Sequence, residues 1–278
     1  MNRLTVRLLA AAAILSLPVS ASAHRQWLLP SGTTFSGEDP WVSVDAAVSN
    51  DLFFPDHFPG RLEGIKVWQP DGTEGKIQNG ATGRYRSVFD VRLEKPGTWK
   101  IGTENSAVMG SFKVDGVEKR LGRRGPPQPG APAPLTVDDI PANATDVKVT
   151  EMIGRNEVYV TRGEPTLTVF KPTGKGLELS PITHPDDLVA GEPTKFRFLV
   201  DGKPAAGLNI TVIPGGKRYR DAEGGFEVTS DKDGVVTINW PTAGMYWLSG
   251  ELRDNHPSTP KATERRLSYT TTLEVMAP

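Results

Sequence analysis

The chain has 278 residues, with 32 basic and 33 acidic side chains, four histidines and no cysteine. A nucleic-acid-binding surface would need a basic excess, so this near-neutral balance argues against nucleic acid as a partner. The absence of cysteine excludes disulfide bonds, thiolate metal sites and a cysteine nucleophile. The folded state must therefore depend on apolar cores.

Residues 1–23 have the pattern of a secretory signal peptide. Arg3 and Arg7 precede an apolar run, Leu8–Leu17, and small residues follow it up to Ala23. A membrane anchor or a buried helix is the alternative, which the short length of the run disfavours. We therefore expect export to the periplasm, cleavage after Ala23 or, as a second choice, after Ala21, and no membrane span in the mature chain. Cleavage after Ala23 leaves 30 basic and 33 acidic residues.

The rest of the sequence has the pattern of an all-β protein. Apolar and polar residues alternate with the two-residue period of half-buried strands. Turns rich in glycine and proline separate these runs, and no helical periodicity is evident after the leader. We predict two immunoglobulin-like antiparallel β-sandwich domains. The clearest strands cover residues 41–48, 89–93, 196–200 and 267–275.

Two passages, 91–101 and 238–248, look like copies of one unit. Each predicts a strand, a tight turn with glycine, and a second strand that opens on an aromatic residue able to close one end of a sandwich. The alternative is coincidence, because glycine turns before aromatic strands are common in all-β proteins. A duplication would make the two sandwiches related.

Residues 119–143 predict an exposed, partly extended loop that contributes little to a packed core, because a basic run is followed by closely spaced prolines. A second joint is predicted near residues 179–187. We place the domains at 24–178 and 179–278, since strands between residues 146 and 170 are needed to complete the first sandwich.

The first candidate metal ligand is His24. Cleavage after Ala23 would make it the first residue, and its α-amine and imidazole could then chelate one ion, as copper(II) and nickel(II) favour. Deprotonating an amine with a pKa of about 7.7 costs about 1 kcal/mol at neutral pH. The free energy gained when the amine and imidazole chelate the ion should exceed this cost. Cleavage after Ala21 would place the histidine third, where the amine, two backbone amides and the imidazole can close a square plane. The alternative is an exposed first residue without a role.

Further donors lie in the segment 49–59, directly after a predicted strand. Asp51, Asp56 and His57 stand there among phenylalanines, which would form a dry wall beside oxygen and nitrogen donors. The alternative is a loop in which the phenylalanines cap the core while Asp56 and His57 face water. His184 and His256 lie in predicted turns and are weaker candidates.

Catalytic motifs are scarce. The sequence has no Gly-x-Ser-x-Gly elbow, no His-Glu-x-x-His helix and no phosphate-binding glycine loop. We therefore expect a binding protein rather than an enzyme. An oxidative copper enzyme that uses an N-terminal histidine is a further alternative, and it would need a second histidine opposite His24.

Three stretches resemble a known family. They are Ala23-His24-x-x-Trp27-Leu28-Leu29-Pro30, Gly191-Glu192-Pro193 and Asp201-Gly202-Lys203-Pro204-Ala205-Ala206-Gly207. In an exported all-β chain they resemble the domain-of-unknown-function 4198 family, whose members are often labelled periplasmic components of nickel or cobalt uptake systems. The resemblance covers most of the mature chain, and the position that carries over most clearly is His24. It implies a periplasmic protein with a transition-metal role and a membrane transporter component as partner.

The leading hypothesis is a periplasmic protein that binds a divalent transition metal and delivers it to an uptake system. Its predicted ligands are His24, His57, Asp51 and Asp56. Copper, nickel or cobalt are favoured over iron, since the proposed terminal site is rich in nitrogen. The alternative is a secreted β-sandwich module that binds a protein or glycan along the aromatic loop without a metal.

Overall fold

The computed structural model describes residues 24–123 and 130–278, so the predicted signal peptide lies outside the described residues. The prediction of an all-β fold is confirmed, since no α-helix occurs in the two described ranges. Short 3-10 helices occur at Val137–Asp139, Thr168–Phe170 and Lys217–Tyr219. Each of the four predicted strands corresponds to an observed one.

The first sandwich is formed by the strands up to residue 162. They are β1 (Arg25–Pro30), β2 (Thr34–Phe35), β3 (Trp41–Ser49), β4 (Phe58–Pro59), β5 (Lys66–Trp68), β6 (Gln78–Thr82), β7 (Ser87–Arg92), β8 (Gly97–Val114), β9 (Val117–Leu121) and β10 (Thr145–Arg162). One sheet has the order β1-β3-β7-β6, and the facing strands have the order β5-β8-β10. This arrangement of four and three strands is that of constant-type immunoglobulin domains. Val44, Phe89 and Trp99 are among the buried residues between the two layers.

The second sandwich is formed by the remaining strands. They are β11 (Leu177–Pro181), β12 (Pro193–Val200), β13 (Lys203–Pro204), β14 (Asn209–Pro214), β15 (Phe226–Thr229), β16 (Val235–Asn239), β17 (Gly244–Asp254) and β18 (Glu264–Val275). Strands β11 and β16 flank β12 in one sheet, and the facing strands have the order β15-β14-β17-β18. The predicted boundary between residues 178 and 179 falls inside β11.

The two sandwiches share a sheet. Residues 150–158 of β10 pair in parallel with residues 264–272 of β18, which links strands from both sandwiches into one continuous sheet of nine strands in the described part of the chain. The other edge of β10 pairs with β8. Because both edges of this long strand are hydrogen-bonded, the strand ties the two domains together through backbone as well as side-chain contacts.

The two passages that look like copies of one unit occupy equivalent places in the two sandwiches. Each spans the corner between the fifth and sixth main strands, β7 to β8 and β16 to β17. The Trp99 indole donates to the carbonyl of Lys95 at 3.0 Å, and the Tyr246 hydroxyl donates to the carbonyl of Thr242 at 2.8 Å. The second bond is the tyrosine corner of immunoglobulin-like domains. The two corners share a four-residue spacing, and the relation between the two sandwiches stays a prediction.

The expectation for residues 119–143 is wrong in part. Lys119–Leu121 belong to β9, and Leu121 and Ile140 are buried in a small cluster with Phe112 and Val149. Two apolar side chains on either side of the proline-rich stretch therefore close a satellite core against the β8–β10 hairpin. Residues 124–129 lie outside the described ranges.

A buried polar network lies at the joint between the sandwiches. The Thr161 hydroxyl on β10 donates to the Asp186 carboxyl at 2.5 Å, and the Asp186 amide donates to Nδ1 of His184 at 3.1 Å. Since Nδ1 of His184 accepts this bond, a neutral ring carries its proton on Nε2, which lies 3.0 Å from the Thr98 hydroxyl. Burial lowers the pKa of His184, which favours the neutral ring.

Asp186 itself carries an unfavourable charge at neutral pH. Removal from water raises its pKa to about 7, the Thr161 hydrogen bond lowers it, and the nearby carboxylate of Glu274 raises it further. Between pH 3.8 and about 7, the Asp186 carboxyl is therefore mostly protonated in the folded protein and mostly ionised in the unfolded chain. The stability from this group is fully present below pH 3.8 and is lost as the pH rises through about 7.

We predict that Asp186→Asn removes this pH dependence. The shift from 3.8 to about 7 corresponds to at most about 4 kcal/mol of stability lost between pH 4 and pH 8. The neutral variant should therefore be more stable than the wild type at pH 8, by about 1 kcal/mol or more, and this advantage should be smaller at pH 5, by up to about 3 kcal/mol. Urea unfolding at the two pH values measures the difference.

The matched control is Asp187→Asn, because Asp187 is the exposed neighbour in the same turn. It should follow the wild-type pH dependence. A wild-type and an Asp186→Asn protein with parallel stability curves from pH 5 to pH 8 would show that Asp186 does not titrate in this range.

Candidate functional site

The rings of His24 and His57 stack on one another. Their centroids are 3.6 Å apart and their planes differ by 18°. His24 is exposed and His57 is half-buried, so the pair lies at the surface. Two of the four predicted ligands are therefore in direct contact, although 32 residues separate them in the sequence. We call His24 and His57 the histidine pair.

Strand pairing on both edges of β3 explains why the two rings meet. Strand β1 pairs with one edge, with Arg25 opposite Ser49, and β4 pairs with the other edge, with Phe58 opposite Val48. His24 directly precedes β1 and His57 directly precedes β4. Both histidines are therefore brought to the end of β3, where the chain leaves the sheet.

The two predicted carboxylate ligands make other contacts. Asp56 accepts hydrogen bonds from the backbone amide and the side-chain amide of Asn50, at 3.0 and 3.3 Å. The Asp51 carboxylate lies 3.8 Å from the ammonium of Lys217. Within residues 24–123 and 130–278, no group of three or more His, Asp or Glu side chains is arranged to hold a metal ion. Asp51 and Asp56 as metal ligands stay a prediction.

The phenylalanines of the segment 49–59 divide between core and solvent. Leu52 is buried and Phe53 packs edge-on against Trp27, with ring centroids 5.7 Å apart. Phe53 adopts a φ of 61°, a backbone conformation that is uncommon outside glycine and turns the chain sharply. Phe54 and Phe58 are exposed, with 36% and 58% of their surface accessible. The predicted aromatic wall therefore anchors the segment on one side and faces water on the other.

The core side of this segment is built on Trp27. Its indole N–H donates to the Ser49 hydroxyl at 2.7 Å, and that hydroxyl donates to the carbonyl of Asp51 at 2.6 Å. Both side chains are buried, with at most 1% of their surface accessible. The relay holds the end of β3 and the start of the following loop in one conformation, because neither buried polar group has water as an alternative partner.

The second sandwich supports the site from the other side. Trp247 on β17 packs in the same cluster as Trp27 and donates to the backbone carbonyl of Gln26 at 3.2 Å. The guanidinium of Arg218 lies 4.0 Å above the ring of Phe54, and Arg25 forms an ion pair with Glu223. These contacts join residues about 160 to 220 positions apart, and no local sequence pattern signals them.

The two remaining histidines lie elsewhere. His184 belongs to the buried network at the joint between the sandwiches, and its ring nitrogens are engaged by Thr98 and the amide of Asp186. His256 is exposed beside a turn in which its backbone amide donates to Asp254 at 3.0 Å. Neither is in contact with the histidine pair.

Residues 21–254 match the model of a protein family described as Domain of unknown function (DUF4198). The chain belongs to this family. The matched part of the DUF4198 chain includes the histidine pair, the segment 49–59 and the second-sandwich residues that pack on it. The resemblance expected from the sequence is thereby confirmed.

Comparison with solved structures finds low similarity. The D0-D1 domain of Intimin is 8% identical over 89% of this chain and 97% of its own, with a TM-score of 0.20. Escherichia coli alpha-2-macroglobulin activated by porcine elastase is 11% identical over 91% of this chain and 20% of its own, with a TM-score of 0.24. The Bacillus anthracis TIE protein is 11% identical over 91% and 38%, with a TM-score of 0.18. No curated protein matches the DUF4198 chain.

The described residues contain no helix that is long and apolar enough to cross a membrane.

We predict that Ser49→Ala destabilises the protein and loosens the segment 49–59. The substitution leaves the buried indole N–H of Trp27 without an acceptor, which costs about 1–3 kcal/mol. The free energy of unfolding in urea at pH 7 measures the loss. Ser106→Ala is the matched control, because Ser106 is exposed on β8 and, among the described residues, its hydroxyl has no hydrogen-bond partner, so its loss should cost about 0.5 kcal/mol or less. Equal losses in the two variants would show that the buried relay does not hold the segment.

Proposed function

We propose that this protein is a periplasmic transition-metal-binding protein in which His24 and His57 bind one ion through imidazole nitrogens. The single observation that supports the proposal is the contact between the two rings, at 3.6 Å between centroids. Imidazole is the commonest metal ligand among side chains, and a turn of one ring out of the stack would direct a nitrogen of each ring to a single ion.

The donor set fits copper(II), nickel(II) or cobalt(II) better than magnesium or calcium. Imidazole nitrogens suit the later first-row metals, whereas magnesium and calcium prefer oxygen ligands. Because the described residues do not place a third His, Asp or Glu side chain with the pair, a further donor has to come from elsewhere. If export ends with cleavage after Ala23, the α-amine of His24 supplies it, and amine and imidazole of one residue can chelate the same ion.

A delivery role fits the position of this pair. Its ligands are few and His24 is exposed, so a bound ion remains accessible to an acceptor, whereas a storage site would be expected to enclose it. We therefore propose that the protein hands its ion to an uptake system, with a membrane transporter component as the partner. Binding rather than catalysis is part of the same proposal.

We predict that the processed protein beginning at His24 binds copper(II) and nickel(II), and that His57→Ala lowers the affinity by about tenfold or more, which corresponds to about 1.4 kcal/mol. The reason is the loss of one of two imidazole ligands. Isothermal titration in the presence of a competing chelator measures the affinity. His256→Ala is the control, since His256 is exposed and distant from the pair along the chain.

A second preparation tests the role of the terminus. One additional residue before His24 converts its amine to a peptide amide. The metal affinity of this preparation should be about tenfold or more below that of the protein beginning at His24. Equal affinities for the wild type and His57→Ala would contradict the paired site. Equal affinities with and without the additional residue would contradict the terminal amine alone.

The exposed aromatic residues favour a second candidate, a module that binds a protein or glycan without a metal. Phe58 lies against the His57 ring, with centroids 4.0 Å apart, Phe54 is exposed in the same segment, and exposed aromatic side chains are frequent at binding interfaces. If the processed protein binds neither copper(II) nor nickel(II), the metal-free binding module becomes the favoured function. Phe53, by contrast, packs against Trp27, so its substitution would disturb the fold rather than report on binding.

A further inference from the structure

The loop between β14 and β15 carries an arginine and a tyrosine at the protein surface. It contains the short 3-10 helix Lys217–Tyr219. Tyr219 has 91% of its surface accessible, and the guanidinium of Arg218 lies 4.0 Å from the centre of the exposed Phe54 ring. Arginine and aromatic residues are enriched at protein–protein interfaces. We call Phe54, Arg218 and Tyr219 the arginine–aromatic patch.

The loop that carries this patch is held in one conformation. The guanidinium of Arg220 donates to the backbone carbonyls of Gly215 and Pro214, at 2.6 and 3.0 Å. It also donates to the carbonyl of Glu223 at 2.9 Å, and the Glu223 carboxylate forms an ion pair with Arg25 on the first sandwich. Because the loop is already ordered, a partner that binds to it has little conformational entropy to remove, which favours affinity.

Arg218 is the cation of this loop that has no acidic partner among the described residues. Arg220 is bound to backbone carbonyls, and Lys217 lies 3.8 Å from Asp51. The next acidic residue in the loop, Asp221, is exposed and forms no ion pair with Arg218 in the described ranges. A guanidinium that stacks on an aromatic ring keeps its N–H groups at a planar edge, which matches the two oxygens of a carboxylate. The patch therefore presents an edge suited to a carboxylate.

A pocket of about 380 Å³ lies against the same loop. Gly216 and Arg220 contribute to its wall from the loop, and Leu29, Phe53 and Met245 are among the apolar residues that line the rest. Its volume lies within the range of about 300–1,000 Å³ that is found for pockets that bind small molecules, so it has room for an apolar side chain. A partner could therefore place an apolar side chain in the pocket while a neighbouring carboxylate pairs with Arg218.

From this arrangement we infer that the arginine–aromatic patch and the pocket dock an acidic segment of a partner protein, in which a carboxylate stands next to an apolar side chain. A second copy of this chain fits poorly, because a symmetric contact would bring the patch against itself and Arg218 against the same cation of the other copy. The patch contains none of the four predicted metal ligands. The inference therefore goes beyond the proposed metal function and does not depend on it.

Titration of the isotope-labelled processed protein with a defined peptide tests the inference. The probe is the hexapeptide acetyl-Gly-Leu-Glu-Leu-Glu-Gly-amide, with a chelator present to remove metal ions. Nuclear magnetic resonance of the arginine Nε–Hε groups follows the binding. We expect a shift of the Arg218 signal and a dissociation constant of about 1 mM or below. Replacing the glutamates of the peptide by glutamine, or its leucines by serine, should weaken binding by about tenfold in each case.

Variants of the protein separate the patch from the rest of the surface. Arg218→Gln should lower the affinity for the hexapeptide by about fivefold or more, and Arg218→Lys should not restore it, because an ammonium lacks the planar fork of a guanidinium. Arg84→Gln is the matched control, since Arg84 is exposed and lies 5.3 Å from the ring of Tyr85 but does not line the pocket. His57→Ala should bind the hexapeptide as the wild type does.

The outcomes keep this inference apart from the metal proposal. Absence of peptide binding up to about 10 mM, or binding that is unaffected by Arg218→Gln, overturns the inference and leaves metal binding by the histidine pair as it stands. Tighter binding of trigalacturonate, or of phosphatidylglycerol vesicles, than of the hexapeptide would assign the patch to an acidic glycan or to a lipid surface, and it would also overturn the inference.

Discussion

The packing of Trp27 between the two sandwiches is the interaction on which the rest of the site depends. Its indole ring is 1% exposed and lies in one apolar cluster with Leu52, Ile213 and Trp247. Burying an aromatic side chain of this size is among the largest single contributions to such an interface. The hydrogen bond from its N–H to Ser49 fixes the orientation of the indole. The same side chain therefore holds β1, the end of β3 and the second domain relative to one another.

This packing secures the two histidines that strand pairing with β3 brings together. They precede strands on opposite edges of β3, and the contacts of Trp247 and Arg218 hold the connecting segment from the second domain. A site supported in this way loses little conformational freedom when a ligand binds, which favours affinity. Because these contacts come from both sandwiches, the domain arrangement defines the surface around the histidine pair.

Much of the fold could be predicted from the sequence, because period-two alternation and glycine turns act locally. The strand over 41–48 and the paired corners at Trp99 and Tyr246 are examples. His24, which directly follows the predicted signal peptide, is also recognisable from the sequence. What could not be predicted depends on register and on distant pairing: the stacking of the His24 and His57 rings, the ion pair of Arg25 with Glu223, and the parallel pairing of β10 with β18. One sequence does not specify which strand edges meet.

The most direct test of the central claim is pulsed electron paramagnetic resonance on the processed protein loaded with one equivalent of copper(II). The remote ring nitrogens of bound imidazoles give a modulation whose combination lines report how many rings bind the ion. We expect two imidazoles in the wild type and one in His57→Ala. A wild-type spectrum with a single imidazole would contradict the claim that His24 and His57 bind the same ion.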